Sequence, residues 1–359
     1  MKIKLYNNYD SQLLREWKSL WNSLPYATIS NSPEWFVSAK EAFHPNEVRI
    51  IALYSEMNIL LGIGGFFRKT ICTIPFWSIA GDEFSDKESI LIDYSNREAV
   101  ALFLSAIEGS IPLILTNYTD KTLQNIKRIK HTNIMKADEN LYVDFHEGPY
   151  GNMKQRKITL TNNRIKNNTH DFSCDMKTQC DIAEKKLANL QVAFEIEKNS
   201  SKSKKGRMIF HKESSRNFYT NLILALQNNS IVTIIYIDSL PIAYSIAFTN
   251  RGVIQTSQKA HLSSHNYFNP GRILVMKLCD YARSQNNSTL DLGRGSDRFK
   301  SSIATRREDL YTIIVSKNIF IRVPLLLILK LRSWLYTMLV KYDFFYLFYK
   351  KLVNSTHYD

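Results

Sequence analysis

Cysteine is scarce in this chain and never paired. Cys72, Cys174, Cys180 and Cys279 are scattered over 359 residues, and no two of them form a CxxC motif. That distribution argues against a disulfide scaffold and for a reducing compartment. His170, Cys174 and Cys180 follow no common zinc spacing and lack an obvious fourth ligand, so no metal site is predicted. The sequence has no uninterrupted run of 18 apolar residues, which argues against a simple transmembrane helix. Polar residues break every apolar stretch of the opening MKIKLYNNYDSQLLREW, so no secretory h-region is expected there. There is no heptad stretch to support a coiled coil.

What is present is ordinary for a folded chain. Hydrophobic residues make up 44% and charged residues 22%, enough to bury a sizeable core in one large domain or two ordinary ones. The formal charge is +14. A basic balance favours an anionic partner, whether nucleic acid, a phosphate-bearing cofactor or an anionic membrane, against the alternative of a generic solubility charge. The charge is concentrated: Lys121–Arg216 holds 20 Lys and Arg against 11 Asp and Glu.

Periodicity predicts an α/β chain. Leu13, Leu14, Trp17, Leu20, Trp21 and Leu24 form one helical stripe, with Asp10 as N-cap. Ser32 and Pro33 open a second helix through Phe43. Strands are predicted at Val48–Tyr54, Ile59–Phe67, Thr73–Ile79, Ile111–Leu115 and Leu141–Phe145, with helices at Ala99–Ile107 and Lys121–Ile129. Gly148–Thr169 is polar and aperiodic and reads as a connection. Beyond it come a helix at Asp181–Leu190, a strand at Val192–Glu197 and a flexible basic loop, NSSKSKK, at Asn199–Lys205. A helix at Phe210–Leu226, strands at Ile231–Ile237, Leu240–Thr249 and Val253–Gln258, a helix at Gly271–Ala282 and strands at Thr289–Leu292 and Leu310–Val315 complete the pattern. Both halves run helix, helix, strands, helix, strand, a repeat of element order without visible sequence repetition.

Three constellations carry possible chemistry. In the first, a strand leads through SQKAHLSSHNYFNPG into a helix that starts at Pro270-Gly271. A helix start offers unpaired N–H groups and the positive end of the dipole, which suits phosphate. Pro270 presets the first turn, and Gly271 lets a ligand approach the backbone. Lys259, Asn269 and Arg272 complete this candidate cofactor site, whose plain alternative is a well-capped helix. The second is LDLGRGSDRFK, Leu290–Lys300. It sets Asp291 near a strand end and Arg294, Gly295, Phe299 and Lys300 beyond it, within reach of an anionic substrate, although GRG lacks the longer P-loop frame. The third is RMIFHKESSR, where His211 is a candidate general base. Each of these residues also has a bland reading as turn or surface decoration.

Taken in order, these pieces resemble the BioF2-like acetyltransferase domain of the GNAT superfamily, the domain of CelD-type proteins of bacterial polysaccharide production, related in fold to the FemAB peptidyltransferases. The resemblance is carried by Phe218-Tyr219, Ile237–Ala243, Asn269-Pro270-Gly271 and Leu290–Lys300. In the last segment Gly295, Phe299 and Lys300 occupy fixed positions of the family pattern F-D-[apolar]-x-x-G-x-x-x-[YF]-K. Trp17, Leu20, Trp21, Leu24 and Ser32–Trp35 resemble the family's first two helices, so the likeness spans about residues 5 to 318. The chain departs from the family at Thr159–Leu190, where an Arg-rich helix is usual, and it lacks the Q/R-x-x-G-x-G/A signature of single-domain GNAT enzymes.

The resemblance implies two tandem GNAT-like domains, 1–165 and 166–318, built of mixed sheets flanked by helices. It implies an acyl-CoA donor, acetyl-CoA first, and transfer to an amine or hydroxyl of a sugar or glycan precursor in cell-surface polysaccharide synthesis. On that reading His211 and Asp291 are catalytic. Lys259, Asn269, Pro270, Gly271 and Arg272 hold the cofactor, while Arg294, Gly295, Phe299 and Lys300 face the acceptor or serve local architecture. FemAB-like transfer from aminoacyl-tRNA and a non-catalytic accessory role in a glycan assembly complex are the rivals; DNA is not an expected partner.

The tail, 319–359, is strongly apolar with interspersed cations. Over Ile319–Val353 six Lys and Arg stand against Asp343 alone. It reads either as helix packed on the protein or as an amphipathic segment in the interface of an anionic membrane. The second reading predicts a cytoplasmic protein peripheral to the inner face of the plasma membrane.

Overall fold

The computed structural model describes residues 1–87, 90–107, 111–119, 123, 126, 131–169, 171–178, 181–204 and 206–341. The chain forms two compact units, Met1–Asp138 with Asp309–Asp359, and Glu139–Glu308. Each is a mixed sheet flanked by helices, in line with the predicted α/β class. The boundaries expected at 165/166 and 318/319 fall instead at 138/139 and 308/309. Both crossings lie inside strands, Thr132–Asp144 and Arg306–Val315, which carry none of the polar, Gly- and Pro-rich composition that marks a linker. The segment 319–341 is likewise no separate tail but a helix of the first unit.

The first unit begins with β1 (Lys2–Tyr6), α1 (Ser11–Ser23) and α2 (Pro33–Phe43). Asp10 Oδ1 accepts from Leu13 N–H at 2.7 Å, and Ser32 Oγ accepts from Trp35 N–H at 3.2 Å, so both predicted caps are in place. There follow β2 (Val48–Tyr54), β3 (Leu60–Ile71), β4 (Ile74–Ile79), β5 (Leu91–Ile92), α3 (Arg97–Ile107) and β6 (Leu113–Thr119). β7 (Thr132–Asp144) leads out of this unit, and β13 (Arg306–Val315) returns to it. Strand order is β1-β2-β3-β4-β6-β13, with β5 on β3 and only the β4–β6 pair parallel. Alternation sends neighbouring residues to opposite faces. Phe66 joins Phe103 of α3 in one core, while Phe67 meets Phe36 of α2 in another. Gly65 is required there, because a Cβ would run into the Phe36 ring.

The second unit contains α4 (Gln155–Asn168), β8 (Phe172–Lys177), α5 (Ala183–Lys198), the single turn α6 (Ser201–Lys204) and α7 (Glu213–Ala225). β9 (Ser230–Ile237), β10 (Leu240–Asn250), β11 (Val253–His261), α8 (Pro270–Ser284), β12 (Thr289–Arg294) and the single turn α9 (Arg298–Ser301) follow. The sheet order is β7-β12-β11-β10-β9-β8, antiparallel except for β11–β12. α8 buries Ile273 and Leu274 against Ala243, whereas the next residue, Tyr244, turns to Phe210 and Glu197 on the other face.

Two expectations fail in this unit, each for its own reason. The connection predicted at 148–169 contains α4, a helix that buries only Ile158 and Thr161 and so shows no apolar stripe. The strand predicted at Val192–Glu197 is the last part of α5. Its alternation of Phe194, Glu195, Ile196 and Glu197 reads as one wet face, yet Glu195 is exposed and Glu197 is fully buried. Part of the predicted loop Asn199–Lys205 is α6, and β1 and β8 are additions. Apart from 123 and 126, the helix predicted at Lys121–Ile129 lies outside the described residues, as do His170, Cys180 and 342–359. Among the described residues no cluster of His, Cys, Asp or Glu could hold a metal ion, and no helix is long and apolar enough to cross a membrane.

Candidate active site

β11 and β12 run parallel and pair over only three residues each, Val253–Gln255 with Thr289–Asp291. Beyond that point they part. The Thr256 hydroxyl donates to the Asp291 carbonyl at 3.0 Å, a side-chain bond where the ladder ends. One residue further, β11 carries a bulge: against β10, Ile246 pairs with Gln258 and Ala247 with Thr256, leaving Ser257 as the extra residue. Its hydroxyl is hydrogen-bonded to the buried Tyr219 hydroxyl at 2.8 Å.

A cavity of about 490 Å³ opens beside the end of β11, lined by it, by α6, by the start of α8 and by Asp297 and Phe299. All five residues predicted to hold a cofactor line it: Lys259, Asn269, Pro270, Gly271 and Arg272. Asn269 is left-handed (φ 55°), and its side chain caps nothing. Its carbonyl accepts from Arg272 N–H at 2.9 Å and Ile273 N–H at 3.3 Å. The Gly271 N–H at this helix start therefore remains available to a ligand. A Cβ built on Gly271 meets nothing within 4 Å, and its φ is not positive. Neither backbone strain nor packing demands glycine at 271, and the space it leaves is cavity.

The lining is cationic. Lys202, Lys259 and Arg272 are joined by His261, and the acid among the lining residues, Asp297, is occupied. Its Oδ1 accepts from the N–H groups of Phe299 and Lys300 at 2.9 and 2.8 Å. Arg272 donates to Thr161 Oγ1 at 3.0 Å. Burial, and then the like charge of Arg164, lower the pKa of Arg272. Arg164 donates to the Tyr267 carbonyl at 2.8 Å and lies over its ring, so two guanidinium groups gather beside the helix start. Lys202 reaches Gln258 Oε1 at 3.3 Å and Glu197 Oε1 at 3.5 Å. Burial lowers the pKa of His261, outweighing the opposite effect of its 2.9 Å hydrogen bond to Asn266.

Of the other predicted residues, one, Phe299, belongs to the cavity lining; Arg294, Gly295, Lys300, His211 and Asp291 do not. Asp291 is 2% exposed and accepts from Asn140 Nδ2 at 2.7 Å and Gly293 N–H at 2.9 Å. Lys300 is buried, and its ammonium donates to the carbonyls of Arg294 at 2.7 Å and Gly293 at 3.3 Å, which ties down the end of β12. Gly295 (φ +94°) supplies the left-handed turn that follows. The exposed His211 ring meets the Met208 carbonyl at 2.6 Å.

Sequence reading missed Glu197, Lys202 and His261. The Glu197 carboxylate accepts from Ile209 and Phe210 N–H at 2.9 and 2.8 Å and from Tyr244 hydroxyl at 3.0 Å. It thus anchors both the α6 loop, through Lys202, and the segment entering α7. Lys202 sits inside a stretch whose composition signals a flexible loop, and His261 lies between Lys259 and the Asn269 turn without a motif of its own.

Residues 164–301, which lie within the second unit, match the family model described as the acetyltransferase (GNAT) domain. The solved structures extend the likeness beyond that domain. FemX aligns with a TM-score of 0.62 at 12% identity, covering 87% of this chain and 97% of its own. The C-terminal domain (DUF2156) of an Agrobacterium fabrum protein assigned as a lysylphosphatidylglycerol synthetase aligns at 0.56 and 9% identity, covering 85% and 91%. L-PGS from Bacillus licheniformis aligns at 0.51 and 12%, covering 80% and 92%. At these identities the likeness is one of fold. No curated protein matches the chain in sequence.

Proposed function

We propose that this chain transfers an acyl group, acetyl first, from an acyl-CoA to an amine or hydroxyl of a sugar or glycan precursor for bacterial cell-surface polysaccharide. The observation that carries the reading is Gly271. At the start of α8, in a cavity lined by Lys202, Lys259 and Arg272, it leaves a Cβ-sized space that nothing in the protein fills. A diphosphate fits such a place: the Gly271 N–H and the helix dipole meet it from one side, the cations from others. The residues present therefore fit the phosphates of a coenzyme A ester.

When bound, the thioester supplies the activated acyl group. The protein's part is chiefly to position and to stabilise. Gly271, Lys259 and Arg272 fix the anionic end. The end of β11, next to the fork that Thr256 closes, would face the remainder. Asp291 acts as a positioning residue for the end of β12, through Asn140 and the Gly293 N–H. His211 is proposed as base for the acceptor proton, and Arg294, Gly295 and Phe299 as the acceptor side, with Lys300 holding the turn that carries them. The polysaccharide assignment rests on the BioF2-like, CelD-type resemblance of Leu290–Lys300 and Asn269–Gly271.

A charged tRNA as donor is the competing reading, favoured by the excess of basic over acidic residues across Lys121–Arg216. Mass spectrometry of the full chain with acyl-CoAs and nucleotide sugars separates the two. A sugar product heavier by one acyl group supports the proposal. Failure to bind any acyl-CoA ends it, and acyl-CoA binding without turnover on any glycan assigns an accessory role.

A further inference from the structure

Helix α10 (Ile319–Lys341) uses two apolar faces for different purposes. One is packed: Leu325 is fully buried, and Ile321, Leu326, Ile328 and Leu329 close with it on Ile71, Ile114 and Ile314 of the first unit. The other is bare. Phe320 is 86% exposed, Val323 40%, Leu327 59%, Leu331 56% and Trp334 55%. Their spacings of three, four, four and three residues put all five on one line of the helix, about 21 Å long at helical rise. Most other exposed large apolar residues, such as Leu5, Leu160 and Leu240, stand singly, which is normal for a surface. A continuous stripe on a helix already anchored by its opposite face is not.

We propose that this stripe seats the protein on an anionic lipid surface, with α10 lying in the plane of the interface. Charge selects the occupant. From Lys317 to Tyr336 the charged residues are Lys317, Arg322, Lys330 and Arg332, with no Asp or Glu, and Lys330 is exposed beside Leu327 and Leu331 on the stripe's edge. A second copy docked stripe to stripe would bring like charges together at Lys330, whereas a phosphate-bearing leaflet neutralises it; Arg322 is turned away from the stripe, its guanidinium donating to the Ser316 carbonyl at 3.1 Å. Anchoring fits in-plane binding: one face cannot leave the first unit, so the other enters only to the depth of its side chains. Trp334 ends the stripe, an amphipathic ring suited to the headgroup level. No described helix is long and apolar enough to cross the bilayer. The proposal is independent of what the second unit catalyses.

Co-sedimentation of the full chain with vesicles tests it. Binding is expected to mixed phosphatidylcholine–phosphatidylglycerol vesicles, to weaken with added salt, and to be much weaker to phosphatidylcholine alone. The combined variant Phe320→Ser, Leu327→Ser, Leu331→Ser is expected to lower partitioning roughly tenfold or more, with an unchanged melting temperature. Lys330→Glu, a single change at an exposed site, is expected to weaken binding to the anionic vesicles only. Absence of sedimentation with either vesicle, or equal sedimentation of wild type and both variants, overturns the proposal. So does a concentration-dependent dimer that the combined variant abolishes while vesicles go unbound.

Discussion

The Thr256 hydroxyl donates to the carbonyl of Asp291 at 3.0 Å, at the last point where β11 and β12 are held together. One buried side chain thus fixes where the sheet divides. Thr256→Val keeps the shape and removes the donor. The buried Asp291 carbonyl then loses a partner, at a cost of about 1–2 kcal/mol. A lowered melting temperature together with weaker acyl-CoA binding is expected, and thermal unfolding with and without ligand reads both.

Gly271 separates folding from binding. Its missing Cβ faces open space, and its backbone is one that alanine adopts. Gly271→Ala is therefore expected to leave stability unchanged or raise it by up to about 1 kcal/mol. The same methyl group sits where a diphosphate would approach the helix start, and affinity for acyl-CoA is expected to fall roughly tenfold or more, about 1.4 kcal/mol. Calorimetric titration beside a melting curve shows whether the two effects part company.

Glu197 has the opposite profile. It is fully buried and accepts from two backbone N–H groups and the Tyr244 hydroxyl. Glu197→Ala leaves all three donors stranded, a loss of about 3–5 kcal/mol. Glu197→Gln, which retains one acceptor oxygen, is expected to lose clearly less. Denaturant unfolding of the two variants is the measurement, and equal losses would contradict the assignment.

His261 gives a pH signature. Burial lowers its folded pKa below the ordinary histidine value, so the unfolded chain binds the proton more readily. Its contribution is complete above the unfolded pKa of about 6.5. It is lost as pH falls through the lower folded value. Wild type is expected to lose more stability between about pH 7.5 and about pH 5 than His261→Gln does. Parallel slopes for the two proteins would show that the imidazole is not the group responsible.

The legible parts of this chain are those where local chemistry and burial agree. The caps at Asp10 and Ser32 announce themselves through side chains that bond to their own backbone, the strand Val48–Tyr54 through its apolar run, and the helix start at Pro270-Gly271 through the fixed φ of proline. The residues that line the cavity beside Gly271 are legible because they surround that helix start in sequence. Glu197 and α4 are not. A buried carboxylate inverts the rule that polar positions face water, and a helix that buries two residues leaves no stripe to find. Lys300 belongs between these cases: its position after GRG is plain in the sequence, but the two carbonyls that hold its ammonium become visible only once β12 has turned.

The return of β13 has a bearing on biosynthesis. Ile313 and Val315 complete a core whose other buried members all lie between Ile51 and Ile126, while Glu139–Glu308 forms its own unit without a break. A ribosome therefore delivers every residue of the second unit before it delivers the closing strand of the first. The half that begins first finishes last, and until then its sheet presents an open edge at β6. Rapid translation and folding of the inserted unit shorten the time for which that edge can pair with another chain.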